Sequence, residues 1–145
     1  MDIDYYLEQW SKDTEIDGTH LDGESLNTAK LHHKYYEFFV KEKLSLRKKE
    51  SEFKQLNLDK HEFYSQGPNE ETRAKGWVFP AKGMVLKSDL SMYINADKDI
   101  VELSLVIGYK TEIVNFLDGV IKFITFNRNK SISNAIEWHK FTMGS

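Results

Sequence analysis

The sequence predicts an all-α protein built on long helices, and three observations carry that reading. Eight Gly and two Pro in 145 residues leave few helix breakers. Glu24 to Gln66 contains neither Gly nor Pro and is rich in Leu, Lys and Glu. From Ile100 to Ile124 apolar residues recur three or four apart, the period of a helix. With 40% hydrophobic residues, a chain of this length makes a single domain, residues 1–145. Along it we distinguish an N-terminal helical part (1–66), a basic loop (67–87) and a C-terminal helical part (88–145).

In chain order, Ile3, Tyr6, Leu7 and Trp10 place a short amphipathic helix over Asp2 to Asp13. Ile16 to Gly23 carries two Gly with Asp and Thr, residues that favour turns and caps, so the helix breaks there. Glu24 to Gln66 then forms one helix several times the usual length, or two in series. Its apolar positions Leu31, Tyr35, Phe38, Phe39, Leu46, Phe53 and Leu56 are interrupted by the charged run Arg47-Lys48-Lys49-Glu50. Gly67-Pro68-Asn69 closes it, because Gly permits a left-handed cap and Pro forbids continuation. In the loop that follows, Trp77-Val78-Phe79 and Met84-Val85-Leu86 flank Pro80-Ala81-Lys82-Gly83, which leaves room for a small β-hairpin.

Helix resumes at Ser88 or Asp89, pauses at Asn95-Ala96-Asp97 and restarts. Ile100, Leu103, Ile107, Val114, Leu117, Ile121 and Ile124 then form a heptad-like seam, the expected oligomerisation residues. A second stripe, Val106, Ile113, Phe116, Val120 and Phe123, lies beside it. Two apolar faces need two partners, which suits a subunit of a multi-helix homo-oligomer. Asn127-Arg128-Asn129-Lys130 ends this helix, and Ile132, Ala135, Ile136, Trp138 and Phe141 make a short final one.

Composition excludes several chemistries. The absence of Cys removes disulfides, Cys-based metal sites and thiol nucleophiles, and suits a reducing compartment. No apolar run reaches 18 residues, and Asp2 and Asp4 stand where a secretory signal is basic, so a cytoplasmic protein is expected. Neither G-x-x-x-x-G-K-[ST] nor G-x-G-x-x-G occurs. His33 and Glu37 share a helix face but lack further ligands, and His61-Glu62 has Ser65 where H-E-x-x-H needs its second His. Asp97 and Asp99 suit helix capping better than acid–base work. No enzymatic activity, metal or cofactor is expected.

The formal charge of −3 hides a polarity. Residues 1–27 hold one basic and eight acidic residues, 28–66 nine and six, 67–87 four and two, and 88–145 six and seven. The basic middle interleaves cations with aromatic residues: Lys41, Lys43, Arg47, Lys48, Lys49, Lys54 and Lys60, then Phe63 and Tyr64, then Arg73 and Lys75, with Trp77 and Phe79 beyond. Cations that track phosphates and rings that stack on unpaired bases suit single-stranded DNA. The competing reading makes the charges a solvated helix face and Phe53, Phe63 and Trp77 core.

Three collinear stretches resemble the UvsY family of tailed-phage recombination mediators. They are Lys12-Asp13-x-x-Ile16-Asp17-x-Thr19-x-Leu21-x-x-Glu24-x-x-Asn27, Phe63-Tyr64-Ser65 with Gly67, and Ala96-Asp97-Lys98-Asp99 ahead of a long apolar helix. The resemblance implies a helical protein assembling through its C-terminal region into rings of six or seven. It implies binding to single-stranded DNA, and loading of a RecA-like phage recombinase onto strands covered by single-strand-binding protein. In the family's DNA-contacting stretch Lys60 matches the second basic position, Glu62 the acidic one, and Phe63 and Tyr64 the aromatic pair. Leu58 replaces the first basic residue and Asp59 adds a negative charge. Contact is therefore expected to move toward the Arg47 cluster or the loop from Arg73 to Lys87. The combined expectation is a non-enzymatic mediator of recombination, repair and recombination-dependent replication in the host bacterial cytoplasm. A helical oligomeric adaptor whose basic stripe meets a protein is the alternative.

Overall fold

A computed structural model describes residues 2–144. Its elements are α1 (Ile3–Asp13), α2 (Leu21–Gln66), α3 (Glu70–Ala74), a 3-10 turn (Lys87–Asp89), α4 (Leu90–Ala96), α5 (Lys98–Phe123), a π-helical segment (Ile124–Arg128) and α6 (Asn129–Thr142). The expected all-α class holds: no strand occurs among the described residues.

Local chemistry sets the boundaries. Asp2 caps α1 by accepting from the Tyr5 amide at 3.0 Å, satisfying one of the donors that a helix start leaves over. α2 is one helix of 46 residues, not two in series. It begins at Leu21, so Gly23 lies in its first turn, where glycine costs less than in a helix interior. At the other end Gly67 takes φ +87° and donates to the Phe63 carbonyl at 2.9 Å, the left-handed cap that its position implied. Asn69 and Thr72 then exchange a reciprocal capping box that starts α3.

The β-hairpin does not form. Its turn does, with the Gly83 amide donating to the Pro80 carbonyl at 3.1 Å and Gly83 at φ +76°. The flanking segments pack inward instead of pairing: Trp77, Phe79 and Val85 cover the buried rings of Phe63 and Tyr64. Nor does the chain break at Asn127 to Lys130. Helix runs from α5 through the π segment directly into α6, because Arg128 is buried there and engaged with α2. Its guanidinium donates to the Glu24 carboxylate at 2.6 Å and to the Glu24 carbonyl and Thr28 hydroxyl.

The described chain forms two compact units, residues 2–44 with 110–144 and residues 45–109. The first has a core of Tyr6, Leu31, Tyr35, Ile113, Leu117, Val120 and Ile124, with Trp10 and Phe38 packed against it. Its two buried phenols donate outward, Tyr6 to Glu42 at 2.8 Å and Tyr35 to Asp13 at 2.8 Å. Burial first, and the adjacent carboxylate second, push both phenol pKa values well up. The second unit is built on Phe63, Tyr64, Ile94 and Ile100, with Phe53, Leu56, Trp77, Phe79 and Tyr93 around them.

Candidate nucleic-acid interface

Lys60, Phe63 and Tyr64 were expected to meet DNA, and the fold places all three inside the second unit. They are only 2%, 2% and 7% exposed. The Lys60 ammonium lies 2.8 Å from Asp99 and 3.1 Å from Asp97. It also sits 3.7 Å from the centroid of the Trp77 ring, so its charge is met by two carboxylates and a ring face. Phe63 packs edge-on against Tyr64, Trp77 and Phe79 at 5.0, 5.4 and 5.6 Å. Phe63 and Tyr64, expected to stack on bases, instead pack against the loop's own aromatics in this structure.

Asp97 organises this network. Its Oδ1 accepts from the amides of Asp99 and Ile100, capping α5, while its Oδ2 accepts from the Tyr64 hydroxyl at 2.6 Å and meets Lys60. Burial raises its pKa, but the Tyr64, Ile100 and Lys60 contacts outweigh burial and hold it below the ordinary carboxylate value. The same burial and carboxylate drive the Tyr64 phenol up. A Lys sharing a helix face with Phe53, Leu56, Phe63 and Tyr64 is the signal that marks Lys60 as interior.

The other expected cations lie at the surface. Arg47, Lys48, Lys54 and Arg73 are exposed and, among the described residues, pair with no carboxylate. Lys41 pairs with Glu37 at 2.8 Å, Lys49 with Glu52 at 3.1 Å and Lys75 with Glu71 at 3.4 Å. Such exposed pairs are weak and exchange readily for a phosphate. Lys43 lies 5.2 Å from the Phe39 ring centroid, and Lys75 lies 4.9 Å from that of Trp77. Lys82 and Lys87, in the loop but not singled out from sequence, are also exposed and without an ion-pair partner among the described residues. Arg47 and Lys54, seven apart, project from one face of α2. Among the described residues no group of His, Asp and Glu gathers to hold a metal. No helix of the described residues is long and apolar enough to cross a membrane.

A family model described as "Recombination, repair and ssDNA binding protein UvsY" matches residues 9–145. The chain belongs to the UvsY family. Solved structures agree at the level of fold. One crystal structure of the bacteriophage T4 recombination mediator protein UvsY, in lattice type II, superposes with a TM-score of 0.79 at 23% identity, covering 99% of this chain and 98% of that one. Two others, of lattice types IV and I, give 0.79 at 20% identity and 0.76 at 22%. The first of these covers 98% of this chain and 99% of its own; the second covers 94% and 97%. No curated protein sequence matches the chain.

In this UvsY-family chain the expected oligomerisation seam is largely buried within the subunit. Leu117 and Ile124 are 0% and 1% exposed in the first core, and Ile100 is 4% exposed in the second. Val114 is buried, while Leu103, Ile107 and Ile121 are half-buried. Ile100, Leu117 and Ile124 thus belong to the subunit's two cores, with Ile121 packed against the first, and other apolar side chains remain at the surface. They include Val101, Leu105 and Val106 on α5, Phe126 in the π segment, and Trp138 and Phe141 on α6. Trp138 and Phe141 stack on one another at 5.7 Å.

Proposed function

We propose that this chain is a phage recombination mediator. It binds single-stranded DNA and promotes loading of a RecA-like recombinase onto strands covered by single-strand-binding protein, in the host bacterial cytoplasm and without catalysis. The observation that carries the reading is the set of exposed cations on one unit that, among the described residues, have no ion-pair partner: Arg47, Lys48 and Lys54 on α2, Arg73 on α3, Lys82 in the loop and Lys87 at the 3-10 turn. Each carries a condensable positive charge with no internal carboxylate to neutralise it, which is what a polyphosphate requires. Lys41, Lys43, Lys49 and Lys75 add charge whose present partners are weak. Lys60, Phe63 and Tyr64 contribute by holding the loop that presents Arg73 and Lys75. Membership of the UvsY family supports single-stranded DNA as the polyanion.

The working form is a homo-oligomer, a ring of six or seven subunits, in which Phe126, Trp138 and Phe141 are covered by neighbouring copies. A ring suits the task because modest contacts per subunit multiply along one strand. Titration of labelled oligo-dT at two salt concentrations tests the reading. Affinity should fall steeply with salt, with a slope of about −0.7 per phosphate contacted. Absence of binding at low salt would favour an adaptor that meets protein, and failure to speed recombinase loading on covered strands would remove the mediator role.

A further inference from the structure

The second unit holds a groove of about 740 Å³ between the end of α2 and α4, within the roughly 300–1,000 Å³ typical of small-ligand sites. Asn57, His61 and Ser65, spaced four apart, line it from one face of α2. Ser91 and Asn95 line it from α4, and Lys87 stands at the loop end. Its apolar surface comes from Val85, Leu90 and Ile94. Ser65 donates to the His61 carbonyl. Among the described residues the amides of Asn57 and Asn95, and the Lys87 ammonium, make neither hydrogen bond nor ion pair. His61 continues, at another interval of seven, the face of α2 that carries Arg47 and Lys54.

We infer that this groove is a subsite for one nucleotide of the bound strand, a proposal that rests on the DNA-binding reading above. A nucleobase is a flat apolar ring with a polar edge, joined to an anion. The apolar wall accepts the face, the two amides offer both donors and acceptors to the edge, and Lys87 meets the phosphate. Amides serve any base once rotated, so the site confers base contact without sequence choice. An acidic peptide is a poorer fit, since it would find one lysine in the groove. The groove also resolves where base contact occurs in a protein whose Phe63 and Tyr64 are covered by Trp77 and Phe79.

The experiment compares oligo-dT with an abasic strand of equal length, using the full chain. Asn57→Ala/Asn95→Ala should lower oligo-dT affinity about tenfold, the scale of one satisfied base edge, and leave abasic-strand affinity and the salt slope unchanged. Lys87→Ala should instead weaken both strands and reduce the slope by about 0.7. Both sites are exposed, and unchanged thermal unfolding confirms intact variants. Equal loss on both strands, or loss on neither, would overturn the subsite while leaving phosphate binding by the parent intact. A parent protein that binds neither strand would instead sink the DNA-binding reading itself.

Discussion

Replacing Lys60 by Met keeps the hydrocarbon stem and removes the ammonium. Asp97, whose side chain is 6% exposed, then loses the Lys60 cation and stays ionised in a buried place. Removing one partner of a buried ion pair costs about 3–5 kcal/mol. Asp99 is 43% exposed, so solvent rehydrates it and it adds little. The ring contact with Trp77 contributes on the order of 1 kcal/mol, as part of that cost of about 3–5 kcal/mol. For a chain of this size each kcal/mol moves the melting temperature by about 2–4 °C, so circular dichroism at 222 nm should show a fall of roughly 10 °C. Below the transition, oligo-dT binding should keep the parent's salt slope, because a lysine held by Asp97 and Asp99 releases no phosphate counterion. A melting temperature within about 2 °C of the parent, together with a slope reduced by about 0.7, would refute this reasoning and make Lys60 a DNA contact.

Four further outcomes follow from the same geometry. Arg47→Glu/Lys54→Glu should leave helicity unchanged and reduce the oligo-dT salt slope by about 0.7 per charge; an unchanged slope would make this face a solvated one. Tyr64→Phe, which deletes the hydrogen bond to ionised Asp97, should cost about 1.5–3 kcal/mol in denaturant unfolding, and a neutral result would show that Lys60 alone suffices. Leu117→Asp puts a carboxylate at a site 0% exposed and should unfold the subunit, not merely dissociate an oligomer; folded monomers on sedimentation would contradict the core placement. Asp97 has a folded pKa below its ordinary value of 3.8, so its stabilisation is complete above that value and lost as pH falls through the lower folded one. The acid limb of the melting-temperature profile should accordingly be shallower in Asp97→Asn than in the parent.

Helix content and most boundaries were legible in the sequence because they rest on local chemistry. The gap in Gly and Pro before Gly67 marked α2, and Asn95 to Asp97 marked the pause before α5. Failures came where tertiary contacts decide. Alternating Trp77, Phe79 and Val85 resembles a strand, yet those residues alternate because every second one plugs the core under the loop. Polar Asn127 to Lys130 resembles a helix end, yet Arg128 is drawn inward by Glu24, more than a hundred residues earlier in the chain, a partner no local window contains. At the candidate site, the surface cations were legible as a basic run, whereas sequence adjacency to Phe63 and Tyr64 disguised Lys60. Its place on the apolar stripe pointed inward, but the carboxylates that neutralise it, Asp97 and Asp99, lie at the start of α5, more than thirty residues along the chain. The groove lined by Asn57 and Asn95 was invisible for the same reason, since neither amide belongs to a motif.

The π-helical segment from Ile124 to Arg128 also has a bearing on how this chain tolerates change. A π turn accommodates one residue more than an α turn, and each residue advances the following side chains by about 100° around the axis. The azimuth of Ile132, Trp138 and Phe141 is thereby fixed by a single surplus residue upstream. Deleting one position within Ile124 to Arg128 would leave a smoother rod, yet swing the distal aromatics by more than a quarter turn and withdraw the guanidinium from Glu24. Such a one-codon change would redirect the whole end of the molecule while every other side chain stayed the same.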